Sequence, residues 1–218
     1  MIFLFDIDGT LLLSGGAGLL ALERAFEELH GVGGAFKAVH PAGMTDPDIV
    51  AEAFMTVLRR APSEGEADAL LRRYLEILPG ALASSPGFRV LPGVPSALLS
   101  LQKRGDLLAL ATGNIREAAR HKLERAGINH LFRCGGFGSD SSSRGRLVGV
   151  AAERAASLLG RDLGASEVVV VGDTPSDVQA ARQNGFGVVA MASGTVPLES
   201  LRDAGPDRII ESLDELLL

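Results

Sequence analysis

Met1-Ile2-Phe3-Leu4-Phe5-Asp6-Ile7-Asp8-Gly9-Thr10 is an apolar run closed by two acids, separated by one residue, and a Gly-Thr turn. Residues 2 to 5 present apolar side chains to both faces, as a strand buried inside a parallel sheet requires. Asp6 and Asp8 project from the same side of an extended backbone. Two carboxylates held that close do not ionise independently. One can stay a carboxylate nucleophile or metal ligand while the other, its pKa raised by repulsion, carries a proton. Such a pair asks for a cation and for a second acidic site elsewhere.

Working outward, Glu167-Val-Val-Val-Val-Gly172-Asp173-Thr174-Pro175-Ser176-Asp177 repeats the logic, an apolar strand ending in acids at the start of a helix. Helix capping explains part of this pattern. It does not explain why two separate strands end in acid clusters, and in a parallel sheet their carboxyl ends share the edge where ligands bind. An oxygen-only donor set suits Mg²⁺. A third strand end, Leu110-Ala111-Thr112-Gly113-Asn114, brings a hydroxyl, a glycine and free N–H groups to a helix amino terminus, which suits phosphate. The lysines are Lys37, Lys103 and Lys122, and the last two fall in amphipathic helices whose polar faces are expected to be solvated. In the polar loop 139–146, Arg144 or Arg146 offers a guanidinium fork for phosphate oxygens.

Apolar or β-rich runs recur at 2–6, 107–112, 131–137, 167–172, 187–192 and 207–210, with helical patterns over 95–104, 115–126, 148–160 and 176–184. This alternation predicts an α/β fold, a Rossmann-like parallel sheet covered by helices on both faces. Between residues 14 and 89 the pattern gives helices alone, over 17–30, 46–60 and 64–78, the last with a capping box from Ser63 to Glu66. The expected organisation is a core of residues 1–14 and 90–218 interrupted by a smaller helical unit of 15–89.

The chain has 218 residues, 46% hydrophobic and 22% charged, with a net charge of −6. That balance, with no basic run, argues against nucleic acid as a partner. No apolar stretch approaches the roughly 20 residues of a membrane span, and a cytoplasmic location is expected. Cys134 is the only cysteine, so neither an internal disulfide nor a multi-cysteine metal site is available, and it reads as a structural thiol. His30, His40, His121 and His130 have no ligand spacing. Gly16 to Ala21 formally fits a dinucleotide fingerprint, but it does not follow the strand directly, and no P-loop occurs.

On these residues the chain resembles the haloacid dehalogenase superfamily, specifically phosphatases similar to phosphoglycolate phosphatase. Asp6-Ile-Asp8-Gly9-Thr10 resembles the first motif, Thr112 the second, and Gly172-Asp173-Thr174-Pro175-Ser176-Asp177 the fourth. The resemblance implies a Mg²⁺-dependent phosphatase acting on a small phosphorylated metabolite, with a helical cap inserted after the first motif. It makes Asp6 the nucleophile that forms an aspartyl-phosphate and Asp8 the acid-base. It assigns the metal to Asp6, the Asp8 carbonyl, Asp173 and, directly or through water, Asp177. Thr112 and a basic third-motif residue hold the transferring oxygens, beside Gly113 and Asn114. The usual third-motif lysine has no match, so Arg144 is the substitute, with Arg146 the alternative. Ala42-Gly43-Met44-Thr45-Asp46 resembles a substrate-specificity loop, with Thr45 and Asp46 facing the substrate or simply capping the next helix.

Asp8 argues against dehalogenation, which needs no proton for its leaving group. A phosphonoacetaldehyde hydrolase needs a cap lysine as Schiff base, and the flanks of Lys37 do not resemble that site. A phosphomutase needs a sugar-recognising cap motif, which is not found. From another class, a non-catalytic phosphate-binding or phospho-acceptor protein on the same fold has no use for an acid-base at Asp8.

Overall fold

The computed structural model describes residues 1–218. In chain order its elements begin β1 (Ile2–Phe5), β2 (Leu12–Ser14), α1 (Ala17–His30), α2 (Asp46–Val57), α3 (Glu64–Ser84) and β3 (Phe88–Val90). There follow α4 (Val94–Lys103), β4 (Leu107–Thr112), α5 (Arg116–Arg125), β5 (Gly135–Phe137), α6 (Arg144–Leu159) and β6 (Val168–Gly172). The chain closes with α7 (Pro175–Gln183), β7 (Gly187–Met191), α8 (Leu198–Ala204) and β8 (Arg208–Ile210).

Six strands form one parallel sheet in the order β5-β4-β1-β6-β7-β8. β1 lies inside it, with Ile2 opposite Leu107 and Val168, and Phe5 opposite Leu110 and Val171. Its alternate side chains feed two cores. Phe3 and Phe5 pack with Leu98, Leu101 and Leu123 on one face, while Ile2 and Leu4 pack with Leu147, Val148 and Ala151 on the other. Both faces are therefore covered, which is why the strands read as continuous apolar runs. All six carboxyl ends share one edge, and β1, β4 and β6, whose ends carry the acids and Thr112, are adjacent there.

The helices α1, α2 and α3 hold a separate apolar cluster that includes Leu22, Phe26, Val50, Phe54, Leu70, Tyr74 and Leu78. Ile115 and Ala118, at the start of α5, belong to the same cluster, so this helical unit rests on the acid-bearing edge of the sheet. Its entry and exit are tied together: β2 pairs antiparallel with β3, Leu12 opposite Val90 and Ser14 opposite Phe88. Three-residue strands carry too little periodicity to be seen in sequence, and neither was expected.

Several boundaries differ from the sequence reading for local reasons. α3 continues through Pro79 to Ser84, because Ala81 and Leu82 keep the buried stripe of Leu70, Tyr74 and Leu78. That burial outweighs the single backbone hydrogen bond that proline removes. The expected box is present, with Ser63 Oγ accepting from Glu66 N and the Glu66 carboxylate from Ser63 N. α2 stops at Val57, short of Arg60. α6 starts at Arg144, four residues before the expected Val148, with Ser143 as its cap. Of the apolar stretch 131–137 only Gly135–Phe137 pairs as a strand, and α8 had no clear signal. No helix is long and apolar enough to cross a membrane.

Close approach of α6 to β5 depends on Gly136, where a Cβ would stand 1.9 Å from the Leu147 carbonyl oxygen. Gly136→Ala is expected to destabilise the fold by about 1–3 kcal/mol, as overpacking against backbone does. Gly80→Ala meets nothing within 4 Å inside α3 and is expected to stabilise by about 0.5–1 kcal/mol. Urea unfolding of the two variants measures both signs.

Candidate active site

Asp6 follows β1 directly, Asp173 follows β6, and Asp177 sits in the first turn of α7. Folding brings one carboxylate oxygen from each to within 4.8 Å of the others, and all three side chains are buried. Thr174 caps α7: its Oγ1 accepts from Asp177 N, and Asp177 Oδ2 in turn accepts from Thr174 N and Oγ1. Asp177 is thus held by its own helix terminus. Asp173 accepts from the hydroxyls of Thr10, at 3.3 Å, and Thr195. The turn at Gly9 lies against it: φ is +83°, and a Cβ there would fall 2.0 Å from Asp173 Oδ2. Only glycine fits that position.

Two cations enter this edge. Arg144, at the start of α6, donates to Asp177 Oδ1 from Nε at 3.0 Å and Nη2 at 2.6 Å, and its Nη2 lies 3.0 Å from Asp6 Oδ2. Arg146 instead pairs with Glu153 on the exposed face of α6, 2.9 Å apart. Of the two candidate arginines, Arg144 is the one at the acids.

The second cation is Lys122, and here the expectation of a solvated helix face is corrected. Lys122 is only 5% exposed. Its Nζ donates to Asp8 Oδ2 and to Asn114 Oδ1, each at 2.5 Å. The reason is tertiary: α5 is covered by the helical unit, so a face that would be wet on an isolated helix looks into the site. A signal was present, since Lys122 shares the three-to-four spacing of the buried Ala118, Ala119 and Leu123. Lys37, the other lysine considered for chemistry, is exposed.

Asn114 completes the link. Its amide donates to Asp8 Oδ2 and to Thr112 Oγ1, both at 2.9 Å. Thr112 is fully buried, and Asn114 N also donates to its hydroxyl at 3.3 Å. Gly113 forms the contact with the helical unit: its carbonyl accepts from Asp46 N at 2.8 Å. Asp46 Oδ2 returns a bond by accepting from Ile115 N, also at 2.8 Å. Thr45 caps α2, its hydroxyl accepting from Asp48 N and donating to Asp48 Oδ2. Asp46 therefore faces the core as well as starting a helix, while the Thr45 hydroxyl is occupied by its own helix.

Electrostatics do not follow the simple two-acid expectation. Burial raises Asp6 to about 6, against the pull of Arg144, and Asp177 and Asp8 raise it further. Burial also acts on Asp8, but the Lys122 ammonium outweighs it, with Asn114 and Ser14 adding hydrogen bonds, and its pKa is lowered. The expected order of the pair is thereby reversed. Burial works against a charge on Lys122, yet Asp8 and Asp46 overcome it and raise its pKa. Asp173, buried and facing Asp6 and Asp177, is pushed up to about 8. Four carboxylates thus meet two cations, and Asp173 is the one with neither cation in salt-bridge contact, so ionising the whole cluster leaves negative charge uncompensated. A hard divalent cation fits this all-oxygen, electron-rich cluster. Asp6 and Asp173 offer oxygens to it, and Asp177 already accepts on both of its own.

Above these groups lies a cavity of about 630 Å³, lined from the sheet side by Asp6, Asp8, Asn114, Lys122, Arg144 and Asp173. From the helical unit and its connections come Gly18, Leu22, His40, Met44, Asp46, Tyr74 and Arg89.

Residues 1–185 match the family model described as haloacid dehalogenase-like hydrolase. A phosphoglycolate phosphatase from Synechococcus elongatus is 32% identical over 164 residues, 74% of this chain and 73% of that protein. Another from Pseudomonas syringae pv. syringae is 29% identical over 99% of this chain and 78% of its own length. The solved structure of a hydrolase from Pseudomonas syringae superposes with a TM-score of 0.74 at 22% identity, covering 100% of this chain and 96% of that one. The chain belongs to the haloacid dehalogenase-like hydrolase family. Within it, the chain is an enzyme of the phosphatase kind, similar to phosphoglycolate phosphatases over nearly its whole length.

Asp46 gives the site a pH signature. Its carboxyl is raised by burial from 3.8 to about 6, with Lys122 working in the opposite direction. The folded state holds this proton more tightly than the unfolded state. The stabilisation is therefore complete below about pH 4 and is lost as pH rises through 6. Asp46→Asn keeps an acceptor for Ile115 N and removes the charge. Thermal unfolding is expected to find the variant more stable than the parent at pH 7.5, on the order of 1–3 kcal/mol, and nearly equal at pH 4.

Proposed function

We propose that this protein is a Mg²⁺-dependent phosphatase hydrolysing a small phosphomonoester metabolite through an aspartyl-phosphate on Asp6. The observation that carries the reading is the buried cluster of Asp6, Asp173 and Asp177, bridged on one side by Arg144, beside an Asp8 held by Lys122 and Asn114. The metal belongs to Asp6, the Asp8 carbonyl and Asp173, with Asp177 alongside, and when bound it offsets the repulsion between carboxylates and phosphate.

Phosphoryl transfer asks mainly for alignment and charge stabilisation. An Asp6 oxygen attacks phosphorus, the ester P–O bond breaks, and Asp8 gives its proton to the departing oxygen. The ionised Asp8 then takes a proton from water. The water oxygen attacks phosphorus, the acyl-phosphate P–O bond breaks, and Asp6 is released as a carboxylate with inorganic phosphate. Lys122 favours the ionised form of Asp8 that the second step needs. A phosphate dianion arriving beside Asp8 works the other way and favours the protonated form that the first step needs. Arg144 and Thr112 hold the phosphoryl oxygens, together with Gly113 and Asn114. The unit of residues 15–89 serves as a cap over the cavity, with Asp46 fixing its α2 end to the core. Phosphoglycolate is a candidate substrate, supported by what the relatives are named for.

A Schiff-base role for the cavity lysine is disfavoured. Such chemistry needs a neutral amine, and Lys122 is kept charged by Asp8 and Asp46.

Turnover of p-nitrophenyl phosphate tests the reading. Asp6→Asn is expected to abolish it with the circular dichroism spectrum intact, and Asp8→Asn to slow it by about 10²–10⁴-fold. A chelator should remove activity and added Mg²⁺ restore it. Full activity in Asp6→Asn overturns the mechanism.

A further inference from the structure

Tyr74 is fully buried on α3, and its hydroxyl has no hydrogen-bond partner within the protein. A buried hydroxyl left alone loses its hydration without recompense, so such groups are normally paired. Tyr74 belongs to the apolar cluster of the helical unit and also borders the site. Tyr74 lines the cavity together with Asp8, Asp46, Asn114 and Lys122. A Cβ at Gly18 would stand 3.8 Å from both Tyr74 Oη and Lys122 Nζ. The hydroxyl and the ammonium therefore both stand beside residue 18, which has no side chain to come between them. Burial raises Tyr74 well above the usual phenol range, and Asp46 and Asp8 raise it further, so the hydroxyl stays protonated and can donate.

The link from Tyr74 to the chemistry runs through Lys122. Asp8, which protonates the leaving oxygen in the mechanism above, is bonded to Lys122 Nζ at 2.5 Å. Asp8, Gly18, Tyr74 and Lys122 line the same cavity, so a leaving group seated against Asp8 shares that space with the Tyr74 side chain. Lys122 already donates to Asp8 and Asn114, whereas the Tyr74 hydroxyl donates to nothing.

We propose that Tyr74 is a specificity-determining residue whose hydroxyl donates a hydrogen bond to an oxygen on the leaving group, selecting short phosphomonoesters that carry a hydroxyl or carboxylate oxygen near the ester. This assignment rests on the phosphatase reading above. It adds the chemical class of the leaving group and a residue to recognise it.

The test is the ratio of kcat/KM for an oxygen-bearing ester to that for phenyl phosphate, measured with Mg²⁺ on the full chain. Glycerol phosphate supplies the hydroxyl arm and phosphoglycolate the carboxylate arm. Tyr74→Phe removes one oxygen atom and is expected to lower the ratio about tenfold or more in at least one arm, with no fall in the thermal midpoint. The arm that falls identifies the recognised oxygen. Gly18→Ala, which sets a methyl at ordinary contact distance from both groups, is expected to lower the same ratio. Ratios unchanged in both arms overturn the assignment, as does a uniform loss on all three esters with a lowered thermal midpoint. Loss of selectivity is distinct from failure of the phosphatase reading, which would appear as an inactive parent enzyme or an active Asp6→Asn.

Discussion

Like-charge repulsion among Asp6, Asp8, Asp173 and Asp177, confined to a buried sheet edge, is the constraint around which the rest of the site is arranged. Carboxylates out of water and close together resist ionising, as the raised values of Asp6 and Asp173 express. The fold meets part of that charge with its own side chains: Arg144 between Asp6 and Asp177, and Lys122 against Asp8. Asp173 has neither cation against it, and a divalent cation would supply the charge the cluster lacks.

The two cations differ in how they are supported. Arg144 comes from the first turn of α6 and meets an Asp177 already fixed by its capping box with Thr174. Its planar fork suits a bridge between two carboxylates and a phosphoryl oxygen. Lys122 comes from the middle of α5 and depends on the helical unit above to exclude water. Asp46 connects the two arrangements, since its main chain bonds Gly113, its side chain bonds Ile115, and its charge contributes to holding Lys122 protonated. The residue joining the proposed cap to the core is thus also part of the electrostatics around Asp8.

Much of this was legible in the chain. The six strands and most helices followed from apolar periodicity, and the acids at 6, 8, 173 and 177 could be placed on one edge because parallel strands share a carboxyl end. Arg144 was preferred to Arg146 by resemblance, while spacing alone did not separate the two, since their placement depends on where α6 begins. Lys122 was misread because amphipathic patterning assumes that a polar side chain faces water. The pairing of β2 with β3 and the passage of α3 through Pro79 were invisible for a related reason, being decided by partners distant in sequence.

By itself, then, the sequence determined the α/β class, the acidic strand ends and the helical interruption after the first strand. These are properties of local periodicity and of residues adjacent in the chain. Only the tertiary structure decided which cation meets which acid, that Asp8 rather than Asp6 is the more acidic of the pair, and that Tyr74 faces the cavity without a partner. Those outcomes depend on burial and on distances between groups far apart in sequence, such as the 114 positions separating Lys122 from Asp8. Desolvation and Coulomb energies exist only once the chain has folded around them.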